Sequence, residues 1–270
     1  MITDITIGQY FPGDSVVHKM DARMKIILTV MLIVAIFICK TLPSLAVIVV
    51  ATAVLVLVSK IPFKTVLKSI KPLAIIIAFT AVLNLFYGKG EPLVQIWKFK
   101  ITQSGIMTAV FMAIRIITLV VISSLLTYTT SPNELTDGLE RLMKPLKIFK
   151  IDVHSISMTM TIALRFIPTL IEEIDKIMSA QKSRGADMES GGIIHRAKAL
   201  VPVLIPLFIS AFRRANDLAY AMECRCYRGG DGRTKMKRMK FHARDYISLA
   251  AVIIFIALLV SFNFIFTKVI

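Results

Sequence analysis

Two short polar tags carry the chemistry that this chain can offer: Ser183-Arg184-Gly185 and Cys224-Arg225-Cys226, their arginines 41 residues apart. A guanidinium is planar and permanently charged, and it presents five fixed donors. It therefore suits a carboxylate and backbone carbonyls that line a groove in a partner. Each tag taken singly has a plainer reading, since a cation near a helix C-terminus complements the negative pole of that helix. Cys224 and Cys226 form a Cys-x-Cys pair, but a zinc site usually takes four ligands. The four histidines, His18, His154, His195 and His242, are not spaced to complete such a site. With Cys39 in an apolar run, the three cysteines read as free thiols with no disulfide framework.

No energy source or catalytic centre is legible. A phosphate-cradling glycine loop, a His-Glu-x-x-His helix and a Gly-x-Ser-x-Gly elbow are all absent from the sequence. The apolar runs hold one ionisable residue, Arg115, whereas ion-coupled carriers place such groups near mid-membrane. Arg115 is expected to pair structurally, with the side chain or carbonyls around Asn84. The residues thus indicate a non-catalytic chain with no cofactor and no metal site. An integral-membrane enzyme and a stand-alone carrier remain as alternatives.

Both tags follow long helical patterns. Met160, Ala163, Ile167, Leu170, Ile174 and Ile177 recur at steps of three and four, with Glu172, Glu173, Lys176 and Lys182 off the stripe. Pro168 is expected to kink this helix, and Gly185 to stop it. Leu200, Leu204, Phe208, Ala211, Ala215, Leu218 and Met222 repeat the design up to the second tag, with Pro202 and Pro206 bending its early part. Ile167, Leu170, Ile174, Leu204, Leu207, Phe208 and Ala211 are the expected packing surface of two levers at about 159–184 and 200–225. Ahead of them, Ser131-Pro132-Asn133-Glu134 reads as a capping box opening a helix that runs to about 143, and Asp152 as the cap of the next segment.

The rest of the chain is largely membrane-like. Of 270 residues, 56% are hydrophobic. Apolar runs at 26–39, 44–58, 73–87, 106–128 and 246–266 read as five transmembrane helices, the first three short enough to need tilting or flanking turns. The first run reads as a retained membrane helix and not a cleaved signal. Gly88, Gly90 and Pro92 break the chain into an outward loop at 88–105, where Trp97 and Phe99 would rest at the interface.

The net charge is +16, and 27 of the 33 Lys and Arg fall in 1–25, 59–71 and 129–245. The positive-inside rule then makes the amino terminus and 129–245 cytoplasmic. The basic residues track membrane borders without interleaved aromatics, so nucleic acid is not an expected partner. The expected fold class is all-α: a polytopic membrane protein with about five transmembrane helices plus long cytoplasmic amphipathic coupling helices. Its parts are a membrane region at 1–128, a coupling-helix region at 129–245 and a last transmembrane helix at 246–270. The coupling region is apolar enough that it should lie against the membrane or against partner helices, or dip into the bilayer at 200–211.

Over essentially its whole length the chain resembles EcfT, the transmembrane component of energy-coupling factor transporters, a CbiQ-like family. The resemblance rests on His18-Lys19-Met20-Asp21-Ala22-Arg23-Met24-Lys25, on the first tag, and on Ala221-Met222-Glu223-Cys224-Arg225-Cys226-Tyr227. The family's tags are commonly Ala-Arg-Gly. Ser183 replaces the alanine here, and two cysteines flank Arg225, but both arginines are kept. The resemblance implies partners: two ATP-binding-cassette ATPase subunits forming a heterodimer, and one substrate-capturing membrane protein, the S component. It further implies that Ser183, Arg184 and Gly185, and Cys224, Arg225 and Cys226, dock the ATPases, and that the lever surface packs on the S component during vitamin or micronutrient uptake.

Overall fold

The computed structural model describes residues 10–86, 92–96, 99–186, 192–230, 239 and 241–269. The expectations for Gly88, Gly90, Trp97 and the Phe99 ring fall outside these residues, as does most of the basic tract between Arg228 and Arg244. In chain order the elements are α1 (Ala22–Ile38), α2 (Leu42–Ser59), α3 (Phe63–Ile70), a 3-10 turn (Lys71–Leu73), α4 (Ala74–Phe86), β1 (Pro92–Ile96), β2 (Phe99–Thr102), α5 (Gln103–Thr129), α6 (Pro132–Leu142), a second 3-10 turn (Lys144–Phe149), α7 (Val153–Ser183), α8 (Ile193–Cys224) and α9 (Ala243–Val269). The fold is an all-α membrane architecture with one small hairpin. In that hairpin β1 and β2 pair antiparallel, with Val94 opposite Ile101 and Ile96 opposite Phe99. The hairpin lies within the stretch expected as an outward loop at 88–105.

Five helical stretches are long and apolar enough to cross a membrane: Leu42–Ser59, Phe63–Leu85, Gln103–Thr129, Lys198–Cys224 and Ala243–Phe264. The number matches expectation, but the membership differs. At 17 residues, α1 is only about 25 Å long, short of the ~30 Å hydrocarbon core. The third run gains length because α3 and the 3-10 turn continue into α4. Most of α8 joins the set on length and composition, where the sequence suggested membrane entry only for 200–211.

The described residues divide into two compact units, 10–138 with 239–269, and 139–230, the boundary at 138/139 falling inside α6. In the first unit, Ala35, Ile36, Cys39, Ile48, Ile122 and Leu259 bring α1, α2, α5 and α9 into one apolar core. A second cluster, including Val56, Val66, Leu125 and Tyr128, joins α2, α3 and α5. At Gly105 a Cβ would meet the Leu85 carbonyl oxygen at 2.7 Å, so glycine lets α4 and α5 approach closely.

Polar groups in this bundle serve helix ends. The carbonyl of Cys39, at the end of α1, accepts from an Arg115 guanidinium NH2, and the Ile38 carbonyl accepts from Asn263 Nδ2 at 3.1 Å. Arg115 also stacks over the Phe111 ring at 4.5 Å. The expected pairing with Asn84 is not formed; Asn84 Nδ2 instead donates to the Thr80 carbonyl of its own helix. The α1 terminus, left with orphan carbonyls in apolar surroundings, is the stronger attractor.

At the other end of α1 the His18–Lys25 tract forms a clasp. Asp21 caps the helix by accepting from the Arg23 N–H and receives the Arg23 side chain at 2.7 Å. Asp245, 1% exposed, accepts from the Asp21 N–H at 3.0 Å and from the His242 N–H at 2.8 Å. Arg23 also lies over the Phe241 ring at 3.9 Å. Lys25 Nζ donates to the carbonyls of His18 and Thr129, the latter at the end of α5. Three segments distant in sequence, 18–25, the end of α5 and 241–245, thus meet on a few charged side chains. Asp245→Ala would strip two backbone amides of their acceptor, a loss of about 2 kcal/mol or more. The expected outcome is a melting midpoint lower by several degrees in detergent, with Asp245→Asn falling between Ala and the parent.

Candidate functional site

The second unit contains α7 and α8. Asp152 starts α7 as anticipated, its carboxylate accepting from the Ser155 N–H at 3.2 Å, and the hydroxyl of Ser131 likewise accepts from the Glu134 N–H ahead of α6. The helix reaches Ser183 with Pro168 inside it. Gln181 Nε2 donates to the Pro202 carbonyl at 3.3 Å, and Arg214 pairs with Glu173 at 2.6 Å. Residue 181 meets 202 while 173 meets 214, so the two helices run antiparallel. The Arg214 guanidinium holds the Glu173 carboxyl below the usual carboxylate range. Periodicity places Glu173 off the apolar stripe but does not name its partner on α8.

The two tags, unlike in sequence, have the same backbone. After α7 the Gly185 N–H donates to the Lys182 carbonyl and the Ala186 N–H to the Gln181 carbonyl, both at 3.0 Å. After α8 the Cys226 N–H donates to the Glu223 carbonyl at 2.8 Å and the Tyr227 N–H to the Met222 carbonyl at 3.0 Å. Both are Schellman turns, with a left-handed residue just past the helix: Gly185 at φ 83 and Cys226 at φ 54. In each turn the arginine occupies the cap position between helix and left-handed residue.

The capping reading is therefore correct for the backbone, and it leaves the side chains unexplained. The carbonyls are met by main-chain amides, so neither guanidinium is needed for them. Ser183, Arg184, Gly185, Cys224, Arg225 and Cys226 are all exposed, and the guanidinium groups of Arg184 and Arg225 make no hydrogen bond or ion pair among the described residues. Cys224 and Cys226 are free thiols. Because α7 and α8 are antiparallel, the tags sit at opposite ends of the pair. Arg225 lies beside Ile162 and Arg165 of α7, some twenty residues before Arg184, which at 1.5 Å per residue separates the tags by roughly 30 Å.

The residues expected as lever surface divide into two sets. Leu170, Ile174, Leu207 and Ala211 are half-buried, whereas Ile167, Leu204 and Phe208 are exposed. Among the described side chains of α8 the most buried is Val203, at 3% exposure, which the 200–204–208 stripe passes over. Val203, Leu207 and Ala211 turn inward. Val201, Leu204, Ile205, Phe208, Ile209 and Phe212, at steps of three, one, three, one and three, form an exposed apolar face. The helix is apolar on two faces, and a single-stripe reading could not say which one meets α7.

A profile of the CbiQ family, described as cobalt transport protein, matches residues 13–236. The chain belongs to the CbiQ family. Its relatives include the protein of Clostridium kluyveri named energy-coupling factor transporter transmembrane protein EcfT, 53% identical over 257 residues that make up 94% of this chain and 95% of the relative. Proteins of the same name from Ruminiclostridium cellulolyticum and Bacillus subtilis are 51% and 42% identical, covering 98% and 96% of this chain and 100% and 98% of their own lengths. Both tags lie within the CbiQ match, whereas α9 lies beyond it.

The shared turn geometry predicts opposite outcomes at the two left-handed positions. Gly185→Val forces a β-branched side chain to positive φ, costing about 1 kcal/mol or more. It should fray the end of α7, read as faster amide exchange at residues 180–186. Cys226→Gly removes such strain and should slow exchange at the end of α8. The Glu173–Arg214 tie carries a pH sign. A depressed carboxyl contributes stability above its unfolded pKa and loses it as pH falls through the folded value. Spin labels on the outer faces of α7 and α8 should therefore report a wider spread of distances on acidification below about pH 4, a change that Glu173→Gln should show already at neutral pH.

Proposed function

We infer that this chain is the non-catalytic transmembrane coupling subunit of an ATP-dependent energy-coupling factor transporter for vitamin or micronutrient uptake. In this reading two ATP-binding-cassette ATPases, a heterodimer, dock at Arg184 and Arg225, and one S component captures the substrate. The ATPases supply all hydrolysis. The amino terminus and 129–245 face the cytoplasm of a multi-pass cell-membrane protein, in keeping with the Lys and Arg bias.

One observation carries the reading. Two arginines with unused donors among the described residues stand on turns of the same Schellman type at opposite ends of one helix pair. A single small-molecule cleft would need converging groups. These groups are held apart, as two separate docking points require. Serving as levers, α7 and α8 would transmit nucleotide-driven motion because packed helices shift between discrete arrangements and do not deform continuously. The exposed apolar face of α8 is the surface offered to the S component, with Phe208 near its middle.

Arg184→Ala and Arg225→Ala should each weaken ATPase retention. Removing one partner of a desolvated charge pair costs about 2–5 kcal/mol, so the double variant should lose both co-purification and uptake. Normal uptake by the double variant would end the docking assignment. Phe208→Asp should lower the yield of S component recovered with the chain while leaving both ATPases bound.

A further inference from the structure

Beside the second tag lies a groove of about 680 Å³. Its walls are α7 around Ile162 and Phe166 and α8 around Leu218 and Met222, and its rim is the tag with residues 227–229. The rim is held in place. The Tyr227 hydroxyl approaches His154 Nε2 at 3.5 Å, and Glu140 faces the other ring nitrogen at 3.6 Å while accepting from the Ser157 hydroxyl at 2.8 Å. Gly230 packs so tightly on His154 that a Cβ there would collide with the ring.

Arg165, Arg225 and Arg228 converge on this groove from α7, the tag and the segment beyond, and no carboxylate lines it. None of the three guanidinium groups has an ion pair or hydrogen bond among the described residues. None of Ser183, Arg184 and Gly185 lines this groove, and a Cβ at Gly185 would find no atom within 4 Å. The tags share a backbone and differ in surroundings.

We propose that the second tag is a receptacle as well as a peg: the groove receives an acidic segment of the docked ATPase, whose apolar side chain fills the floor while its carboxylates engage Arg165 and Arg228 together with Arg225. The inference rests on the docking function proposed for Arg225 and gives it a counterpart. Three like charges on an apolar floor, with no counter-ion among the described residues, call for an anionic occupant with apolar bulk. Continuity with Arg225 places that occupant on the chain that Arg225 engages. This groove borders the second tag and not the first, so Arg165 and Arg228 become determinants of which ATPase takes the second.

The test uses the full complex with both ATPases and the S component, purified in mild detergent. Leu218→benzoylphenylalanine places a photoreactive group on the groove floor, and Tyr220→benzoylphenylalanine, on an exposed outward position, serves as control. Irradiation should join position 218, and not 220, to one ATPase only, through a peptide containing Asp or Glu. Arg165→Gln with Arg228→Gln, Arg225 being intact, should abolish that adduct and weaken retention of the same ATPase about tenfold, the scale of losing charge-assisted hydrogen bonds. An adduct to lipid, or none to an ATPase in a complex that contains both, overturns the proposal, as does an adduct unchanged in the Arg165→Gln, Arg228→Gln background. Retention of both ATPases by the Arg184→Ala, Arg225→Ala variant would instead remove the underlying docking assignment, a result separable from any crosslink at 218.

Discussion

Every α-helix ends with carbonyls that have no partner within the helix, and in apolar surroundings each must find one. How those ends are satisfied organises this protein. In the bundle of α1–α5 and α9 the solution is tertiary. Arg115 and Asn263 reach from α5 and α9 to the last carbonyls of α1, and Lys25 reaches from the start of α1 to the end of α5. Amide ends are met in the same way by Asp245. Arg115, Asn263, Lys25 and Asp245 are therefore fasteners. Each joins elements that the apolar core alone, made of interchangeable Ile, Leu and Val, would hold in a less specific register.

The helix pair α7 and α8 uses the opposite solution. Its C-terminal carbonyls close onto main-chain amides in Schellman turns, so no side chain is consumed. That is what frees Arg184 and Arg225. The turn also fixes the direction in which each arginine leaves its helix, because the cap residue lies between a regular helical turn and a left-handed residue. A charged group on a rigid base loses less entropy on docking than one on a flexible tail. In the bundle Arg115 and Lys25 are engaged by carbonyls of the chain itself, whereas Arg184 and Arg225 are exposed.

The outer surface of α8 fits the same division of labour. Its inward face, around Val203, meets α7, while Leu204, Phe208 and Phe212 stay uncovered. Contiguous apolar surface on this scale marks a site for a protein partner or for lipid. The helix is also long and apolar enough to cross a membrane.

Local signals in the sequence determined the helical class, the apolar runs, the capped starts at Ser131 and Asp152, and the stop at Gly185. Composition, periodicity and helix-end chemistry act over a few residues and are legible in one dimension. The two central arginines were visible for the same reason. Tertiary structure decided the rest. It chose the Cys39 carbonyl over Asn84 for Arg115, because an orphan carbonyl at a short helix's end attracts a guanidinium more strongly than an amide already bonded to its own helix. It made α8 pack through Val203, since a helix apolar on two faces leaves the choice to the shape of its neighbour. The identical turns at Gly185 and Cys226 lay beyond the sequence as well: cysteine rarely takes a left-handed conformation, and only the folded chain shows that it does so here.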